Sequence, residues 1–330
     1  MTAPASRSRE TGATRRRSRV WLGAPSLALV LAAPAPSVLA QDLAPRVYLI
    51  TPLGTNAVTV GDIFNDGKLE FEGTVPITGA TGRLNMPNVT LTRSLGFFGR
   101  SANVAASFAY GVGHFKGTVT GAEIDAYRSG LFDSVFRFSV NLKGAPAMGL
   151  AEFARWQQKT LIGASLKVVA PTGQYDPTKL INLGGNRWAF KPEIGLSQRW
   201  GHWVLDAYGA VWFFTKNPEF FSKNQYFPGT QSQTQEPILA FETHLSYDFR
   251  PRLWVSLDGN FWRGGQTSLN GVENPATLQK SSRVGMTAAF PITRRQSIKV
   301  GYADGAYVRF GGDYRILSAA WQYAWVAKPK

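Results

Sequence analysis

The sequence has no cysteine among its 330 residues and only three histidines. The lack of cysteine excludes disulfide scaffolds, iron–sulfur clusters, cysteine-ligated zinc and thiol catalysis. The sequence also lacks a run of about 18–20 apolar residues, which disfavours a transmembrane helix. Charged residues make up 17% and hydrophobic residues 44% of the chain, a balance too apolar for a disordered protein.

The first 40 residues have the pattern of a secretory signal peptide. Six arginines accompany an apolar stretch over 20–33, and Val38 and Ala40 fit a small-residue cleavage site. A membrane anchor is disfavoured because the apolar stretch is short and contains Pro25. We therefore predict a signal peptide over 1–40. Five of the fifteen net positive charges lie in this leader, and no basic stripe follows it, so we expect no nucleic-acid partner.

The mature chain alternates apolar and polar residues with period two, the pattern of β-strands. Within 238–249, for example, Phe241 and Leu245 alternate with Glu242 and His244. Many such segments exceed the about 9–11 residues that a tilted strand needs to cross a bilayer. Twelve strands are predicted, over 69–78, 86–97, 100–114, 131–143, 160–171, 187–200, 202–215, 236–249, 252–264, 280–291, 296–305 and 314–326.

Short and long connections alternate between the predicted strands. Tight turns are expected near Gly99, Gly201, Pro251 and Arg294, and the connections between them are long, polar and rich in Gly, Pro and Asn. Outer-membrane barrels show this alternation, with short periplasmic turns and longer outer loops. Segment 144–159 is long on the short side and is predicted to carry a short helix at the periplasmic rim.

The alternation alone leaves open which face points inward. In a soluble sandwich or soluble barrel the apolar face forms the core, whereas in a membrane barrel it faces lipid. Aromatic residues near strand ends, among them Trp200, Trp203, Trp254 and Trp262, resemble the interfacial girdles of membrane barrels. Together with strand length, turn asymmetry and the signal peptide, they favour the membrane. We therefore predict an all-β fold in the bacterial outer membrane. It consists of a closed antiparallel transmembrane β-barrel of about twelve strands over 69–330, preceded by a periplasmic segment over 41–68.

The sequence shows no motif of a known catalytic class, and we expect neither a metal nor a cofactor. HExxH, GxSxG and GxxxxGK[ST] are all absent. The segment around Asp62 resembles a calcium loop only in part, because Gly73 stands where a Glu is required. Only His244, with an unidentified serine, would suit a barrel-embedded lipid hydrolase. We predict that the protein is not an enzyme, with this hydrolase as an alternative.

In a membrane barrel, the polar faces of the strands line the lumen. Both signs of charge occur on these faces, and buried charges in a narrow barrel are expected to pair across strands. They indicate either a selective solute path or a structural polar core that keeps the barrel closed. The predicted lumen-lining residues are Arg137, Lys167, Lys191, Glu193, Arg199, Asp206, Glu242, His244, Asp248, Asp258, Arg283 and Lys299.

One stretch is more specific than any of these patterns. Residues 170–197 read APTGQYDPTKLINLGGNRWAFKPEIGLS, and further matching pieces follow at 203–206, 211–214, 244–247, 253–259 and 264–267. This stretch resembles the signature of the exported family described as Putative MetA-pathway of phenol degradation. The resemblance implies an outer-membrane-associated barrel of a transporter type. It does not imply that the protein degrades phenol, because a fold does not deliver a function.

The same stretch is predicted to be an outer loop between the fifth and sixth strands. Its Pro and Gly residues end one strand and form a turn before the next. Such a loop can fold into the lumen as a constriction, and the alternative is a structural loop that packs on the rim. The candidate constriction residues are Tyr175, Asp176, Asn182, Asn186 and Arg187.

The predicted function is passive uptake of small hydrophobic or aromatic molecules, such as phenol-like compounds, through an outer-membrane channel. The expected partners are outer-membrane lipid, such a solute and the outer-membrane assembly machinery. One alternative is a structural or assembly barrel with a plugged lumen. The other is the lipid hydrolase based on His244.

Overall fold

The computed structural model describes residues 43–70, 77–119, 121–224 and 228–327. The predicted signal peptide over 1–40 therefore lies outside the described residues. None of the helices in these ranges is long and apolar enough to cross a membrane.

The described ranges are built almost entirely from β-strands. One short α-helix, α1, spans Leu150–Phe153, and a single 3₁₀ turn spans Pro275–Thr277. The strands are β1 (Thr55–Glu70), β2 (Ile77–Phe97), β3 (Arg100–Val119), β4 (Ala122–Leu131), β5 (Ser134–Lys143), β6 (Thr160–Ala170), β7 (Ala189–Trp200), β8 (Trp203–Phe214), β9 (Gln233–Gln235), β10 (Ile238–Arg250), β11 (Leu253–Gly264), β12 (Thr267–Leu269), β13 (Val272–Asn274), β14 (Gln279–Pro291), β15 (Gln296–Val308) and β16 (Gly311–Val326).

Twelve of these strands form a closed antiparallel barrel, which confirms the predicted fold class. They are β1, β2, β3, β5, β6, β7, β8, β10, β11, β14, β15 and β16. The barrel closes where β1 pairs with β16, from Thr55↔Val326 to Glu70↔Gly311. Strand β4 pairs antiparallel with the outer part of β3, from Tyr110↔Leu131 to Val119↔Ala122. Strands β9, β12 and β13 form a separate small sheet from the outer connections. Closure of the barrel pairs the edge strands of the sheet with each other. Their backbone N–H and C=O groups would otherwise have no hydrogen-bond partners in lipid.

The apolar faces of the strands point outward and the polar faces point inward. On β10, Phe241 and Leu245 are 51% and 39% exposed, whereas Glu242 and His244 are 3% and 0% exposed. A soluble sandwich or soluble barrel would show the opposite arrangement. A closed barrel with an apolar outer surface and a polar interior is an outer-membrane β-barrel.

The first strands differ from the prediction. Strand β1 begins at Thr55, so part of the segment predicted to lie in the periplasm (41–68) is barrel wall. The segments predicted as two strands (69–78 and 86–97) correspond instead to the end of β1, an interval outside the described residues and the single strand β2. Pro87 is tolerated within β2 because the ladder to β3 skips Met86 and Pro87 without changing register.

The predicted aromatic girdle is also wrong at two positions. Trp254 and Trp262, taken from the sequence as residues of the membrane interface, are 9% and 1% exposed and lie on the inward face. There, the Trp254 ring contacts Arg46 and the Trp262 indole N–H donates to Gln279. Trp200 and Trp203, at the periplasmic turn between β7 and β8, remain exposed as an interfacial girdle requires.

Candidate functional site

The predicted lumen residues all lie on strand positions of the inward register. All are buried or half-buried except Lys299, which is exposed. The short turns and both ends of the wall, Thr55 and Val326, mark the periplasmic end of the barrel. The long connections mark the outer end. These two ends of the lumen are filled very differently.

A chain of paired charges crosses the middle of the lumen. The Lys191 ammonium lies 2.8 Å from a Glu242 oxygen and 3.1 Å from a Glu193 oxygen. The Arg137 guanidinium lies 3.1 Å from the other Glu193 oxygen and donates to Ser165. Buried charges held in this way need their partners, because removing one leaves an uncompensated charge.

His244 belongs to the same network and is fully buried. Its Nδ1 lies 2.8 Å from Asp258, which also accepts hydrogen bonds of 2.6 Å from Ser256 and Thr287. Its Nε2 lies 3.8 Å from Glu242. In the part of the chain that the structure describes, no serine hydroxyl is hydrogen-bonded to His244. The serine–histidine pair that a lipid hydrolase requires is therefore not formed here.

The residues before β1 lie inside the barrel. We name residues 43–54 the N-terminal segment. The Arg46 guanidinium lies 2.7 Å from Asp248 and 4.4 Å from the Trp254 ring centre, and its backbone N–H donates to Asp206 at 3.1 Å. Asp248 also pairs with Arg199 at 2.7 Å. The prediction of a periplasmic segment is thus wrong for these residues as well.

Tyr48 fixes the N-terminal segment to the wall. Its ring fits against Gly163 and Gly195, paired residues of β6 and β7, where an added Cβ would overlap the ring. Its hydroxyl donates to Glu193 at 2.9 Å, and Ile50 packs in the apolar cluster that contains Leu161. Glycines within adjacent strands indicate a close approach by another chain, and they are the sequence signal for this contact.

The outer half of the lumen contains a cavity of about 530 Å³, which we name the outer chamber. Its walls are mainly apolar, and Ala44 of the N-terminal segment lies at its floor. Side chains from the strands and from the outer connections meet around it. Apolar examples are Phe132, Val169, Leu180, Leu183, Phe214 and Phe310.

Residues 171–188, which we name the inner loop, fold into the barrel beside this chamber. Asp133 holds the two ends of the loop together, since its carboxylate accepts the Gly173 and Gly185 N–H groups at 2.8 Å each. Gly173 and Gly184 lie so close that a Cβ on either would meet the backbone of the other. The glycines of the signature stretch are therefore required by this crossing.

The five candidate constriction residues divide into two groups. Tyr175, Asn182 and Arg187 line the outer chamber. Asp176 and Asn186 hold the loop instead: Asp176 accepts from Thr178, and the Asn186 amide donates to Asn217 at 3.0 Å. Asp133 and Asn217 were not predicted from the sequence, because both lie in other connections and reach the loop only through the fold.

Arg187 occupies a confined place at the edge of the chamber. Its guanidinium lies 4.6 Å from the Phe214 ring centre and donates to Gln235. Burial lowers the pKa of Arg187 to about 10, so the side chain remains a cation at neutral pH. Among the described residues, no group of three or more His, Asp or Glu side chains is arranged to hold a metal ion.

The wall opposite the Tyr48 contact carries small inward side chains. We name this face, formed by β15, β16 and β1, the open wall. Lys299 of β15 lies between Ala289 and Ala320 on the inward register, and it is nevertheless exposed. Gln322 is exposed on the same face, where its amide donates to Thr59 at 3.1 Å. Open space therefore lies beside these residues.

Comparisons with known proteins place the chain in context. The family model described as Putative MetA-pathway of phenol degradation matches residues 69–319, more than half of the chain. No curated protein matches the sequence significantly. The COG4313 outer membrane channel from Pseudomonas putida F1 matches with a TM-score of 0.69 and 16% identity, over 86% of this chain and 100% of that chain. This likeness shows the fold.

Two further solved structures have lower scores. The beta domain of the Bordetella autotransporter BrkA has a TM-score of 0.47 and 10% identity, over 82% of this chain and 99% of that chain. The Pseudomonas putida toluene transporter TodX has a TM-score of 0.46 and 9% identity, over 89% of this chain and 94% of that chain.

Proposed function

The chain belongs to the family described as Putative MetA-pathway of phenol degradation, and from this membership we propose that it is a channel for the passive uptake of small hydrophobic or aromatic molecules. The observation that carries the proposal is the outer chamber, a mainly apolar cavity of about 530 Å³ inside a polar barrel. Its volume falls within the range of about 300–1,000 Å³ that is usual for small-molecule sites.

In this proposal, the solute leaves the chamber along the open wall. The N-terminal segment is held on the other side by Arg46 and Tyr48, so it acts as a fixed partition. Small side chains and the exposed Lys299 and Gln322 leave space on the opposite side. No catalytic step and no cofactor is needed for such passage.

Two neighbouring alanines of β16 provide a matched test of this route. Ala320 faces inward beside Lys299, whereas Ala319 pairs with the outward-facing Val300. In liposomes that contain the mature protein, we expect uptake of phenol and benzoate by the wild type and by Ala319→Trp. We expect Ala320→Trp to fall to the rate of protein-free liposomes. Equal uptake by the two variants would show that the route does not follow the open wall.

A structural barrel with a plugged lumen is the second candidate function. The observation that favours it is the N-terminal segment, which fills part of the periplasmic half of the lumen. Folded wild-type protein that gives no uptake of any aromatic solute would support this candidate and end the channel proposal. Heat-modifiable mobility on gels would verify folding in both cases.

A further inference from the structure

A buried guanidinium nitrogen beside the outer chamber lacks a partner. The Arg187 Nη2 donates to Gln235, but Nη1 has neither solvent contact nor a hydrogen-bond partner among the residues that the structure describes. A buried charged donor without an acceptor is unfavourable. Arg187 lines the chamber, so a rotation of its guanidinium that turns Nη1 toward the cavity would let an acceptor in the chamber remove this deficit.

The charges around the chamber are predominantly positive. Arg137, Lys167 and Arg187 line it, against the single carboxylate of Asp133. Asp133 already accepts the two glycine N–H groups of the inner loop, and Arg137 already pairs with Glu193. The unpartnered Arg187 nitrogen and the excess of cations over carboxylates among the lining residues therefore favour an anion over a neutral molecule.

Aromatic rings connect two of these cations. The Trp212 and Phe214 rings are stacked, with centres 6.3 Å apart and an interplanar angle of 8°. The Arg187 guanidinium lies 4.6 Å from the Phe214 centre, and the Lys167 ammonium lies 5.7 Å from the Trp212 centre. Both cations thus lie over adjacent rings of one stack, at the edge of an apolar cavity.

These observations define the chemistry of the ligand. The apolar walls suit a hydrocarbon ring, and the volume suits a molecule of one ring or slightly more. A single free donor on Arg187 suits one carboxylate oxygen. Along the proposed route, Lys299 presents another cation to the open space beside β16.

We propose that the outer chamber binds a small aromatic carboxylate, with the carboxylate on Arg187 Nη1 and the ring against the apolar wall. This inference rests on the proposed function and narrows its solute class. A neutral aromatic molecule of the same shape fills the same space but offers Nη1 only an uncharged acceptor, so it binds more weakly.

Benzoate and benzamide provide the test, because they share a ring and a size and differ in charge. Isothermal titration calorimetry on the full mature protein in detergent micelles measures both affinities. We expect the wild type to prefer benzoate by about tenfold or more, as a hydrogen bond to a charged group would give. Equal affinity for the two ligands would overturn the proposal without any variant.

Variants then assign the preference to Arg187. We expect Arg187→Gln to bind both ligands equally and Arg187→Lys to retain part of the preference. Arg155→Gln, an exposed residue at the periplasmic rim, is the matched control and should behave as wild type. An undiminished preference for benzoate in folded Arg187→Gln would overturn the assignment.

The outcomes separate this inference from the proposed function. Selective binding of benzoate without uptake of any solute would support the site and contradict the channel. Uptake of phenol by a protein that does not distinguish benzoate from benzamide would support the channel and contradict the site.

Discussion

The periplasmic and outer halves of the lumen use buried charge in different ways. In the periplasmic half, Arg46 and Arg199 pair with Asp248, and the N-terminal segment fills the space beside them. In the outer half, Arg187 has an unpartnered nitrogen beside a cavity of about 530 Å³. Two nitrogens of Arg46 also lack a hydrogen-bond partner, but its guanidinium is held in an ion pair with Asp248. The guanidinium of Arg187 lies instead at the edge of a cavity, where it is available to a solute.

We expect the largest loss of stability when the central cation of the paired network, Lys191, is removed. Lys191→Met leaves Glu193 and Glu242 buried next to each other without their shared ammonium. We expect a loss of about 3–5 kcal/mol in the free energy of unfolding, as for other broken buried pairs. Urea unfolding followed by tryptophan fluorescence measures this loss.

The control for that variant is Lys143→Met at the exposed periplasmic end of β5. It should change the free energy of unfolding by less than about 0.5 kcal/mol. A loss of the same size in both variants would show that the central network adds no more than a surface lysine.

A smaller effect is expected where Tyr48 contacts the wall. An alanine at Gly163 would overlap the Tyr48 ring, whereas a Cβ at Gly209 of β8 meets nothing within 4 Å. We expect Gly163→Ala to lower the free energy of unfolding by about 1–3 kcal/mol, as overpacking does. It should also make the N-terminal segment accessible to protease. Gly209→Ala should leave protease resistance unchanged, and equal cleavage of the two variants would contradict the Tyr48 contact.

In the outer half of the lumen, a substitution that releases the two ends of the inner loop should lower the free energy of unfolding by a similar or smaller amount. Asp133→Asn keeps one acceptor oxygen but places an amide N–H against a backbone N–H. We expect a loss of about 1–3 kcal/mol in the free energy of unfolding and faster proteolysis within 171–188. The control is Asp125→Asn, where the exposed carboxylate only meets Lys116 at 3.4 Å. Unchanged proteolysis of Asp133→Asn would contradict its role at the two ends of the loop.

Much of the barrel could be predicted from the sequence because each strand carries its pattern locally. The alternation of Phe241 and Leu245 with Glu242 and His244 places β10 correctly, and the tight turns fix the direction of the neighbouring strands. The first strand was missed because residues 55–68 carry a weak apolar pattern with Asp62 and Asp66 inside it. Its recognition depends on pairing with β16 at the far end of the chain.

The contents of the lumen were harder to predict than its wall. Arg46 and Asp206 are 160 residues apart in sequence, and no local sequence pattern predicts their contact. The signature stretch identified the inner loop, but not Asp133, which joins its two ends. Gly163 and Gly195 are a local signal of a chain inside the barrel, but their significance becomes clear only when the pairing of β6 with β7 is known.

The most direct test of the account is to lock the N-terminal segment in place and measure transport. In a chain without cysteine, Tyr48→Cys with Gly163→Cys introduces one possible disulfide. A Cβ at Gly163 would lie 2.8 Å from the Tyr48 Cγ, the position that the sulfur of a cysteine at residue 48 would take. This spacing suits a disulfide, whose two Cβ atoms are usually about 3.5–4.5 Å apart. Thiol labelling would verify that the disulfide has formed.

Uptake of phenol and benzoate by liposomes that contain this double variant is then compared before and after reduction. We predict that the oxidised protein takes up both solutes at the wild-type rate, because the route follows the open wall past a fixed segment. Uptake that is absent in the oxidised protein and returns on reduction would contradict it, since the segment would then have to move for solute to pass.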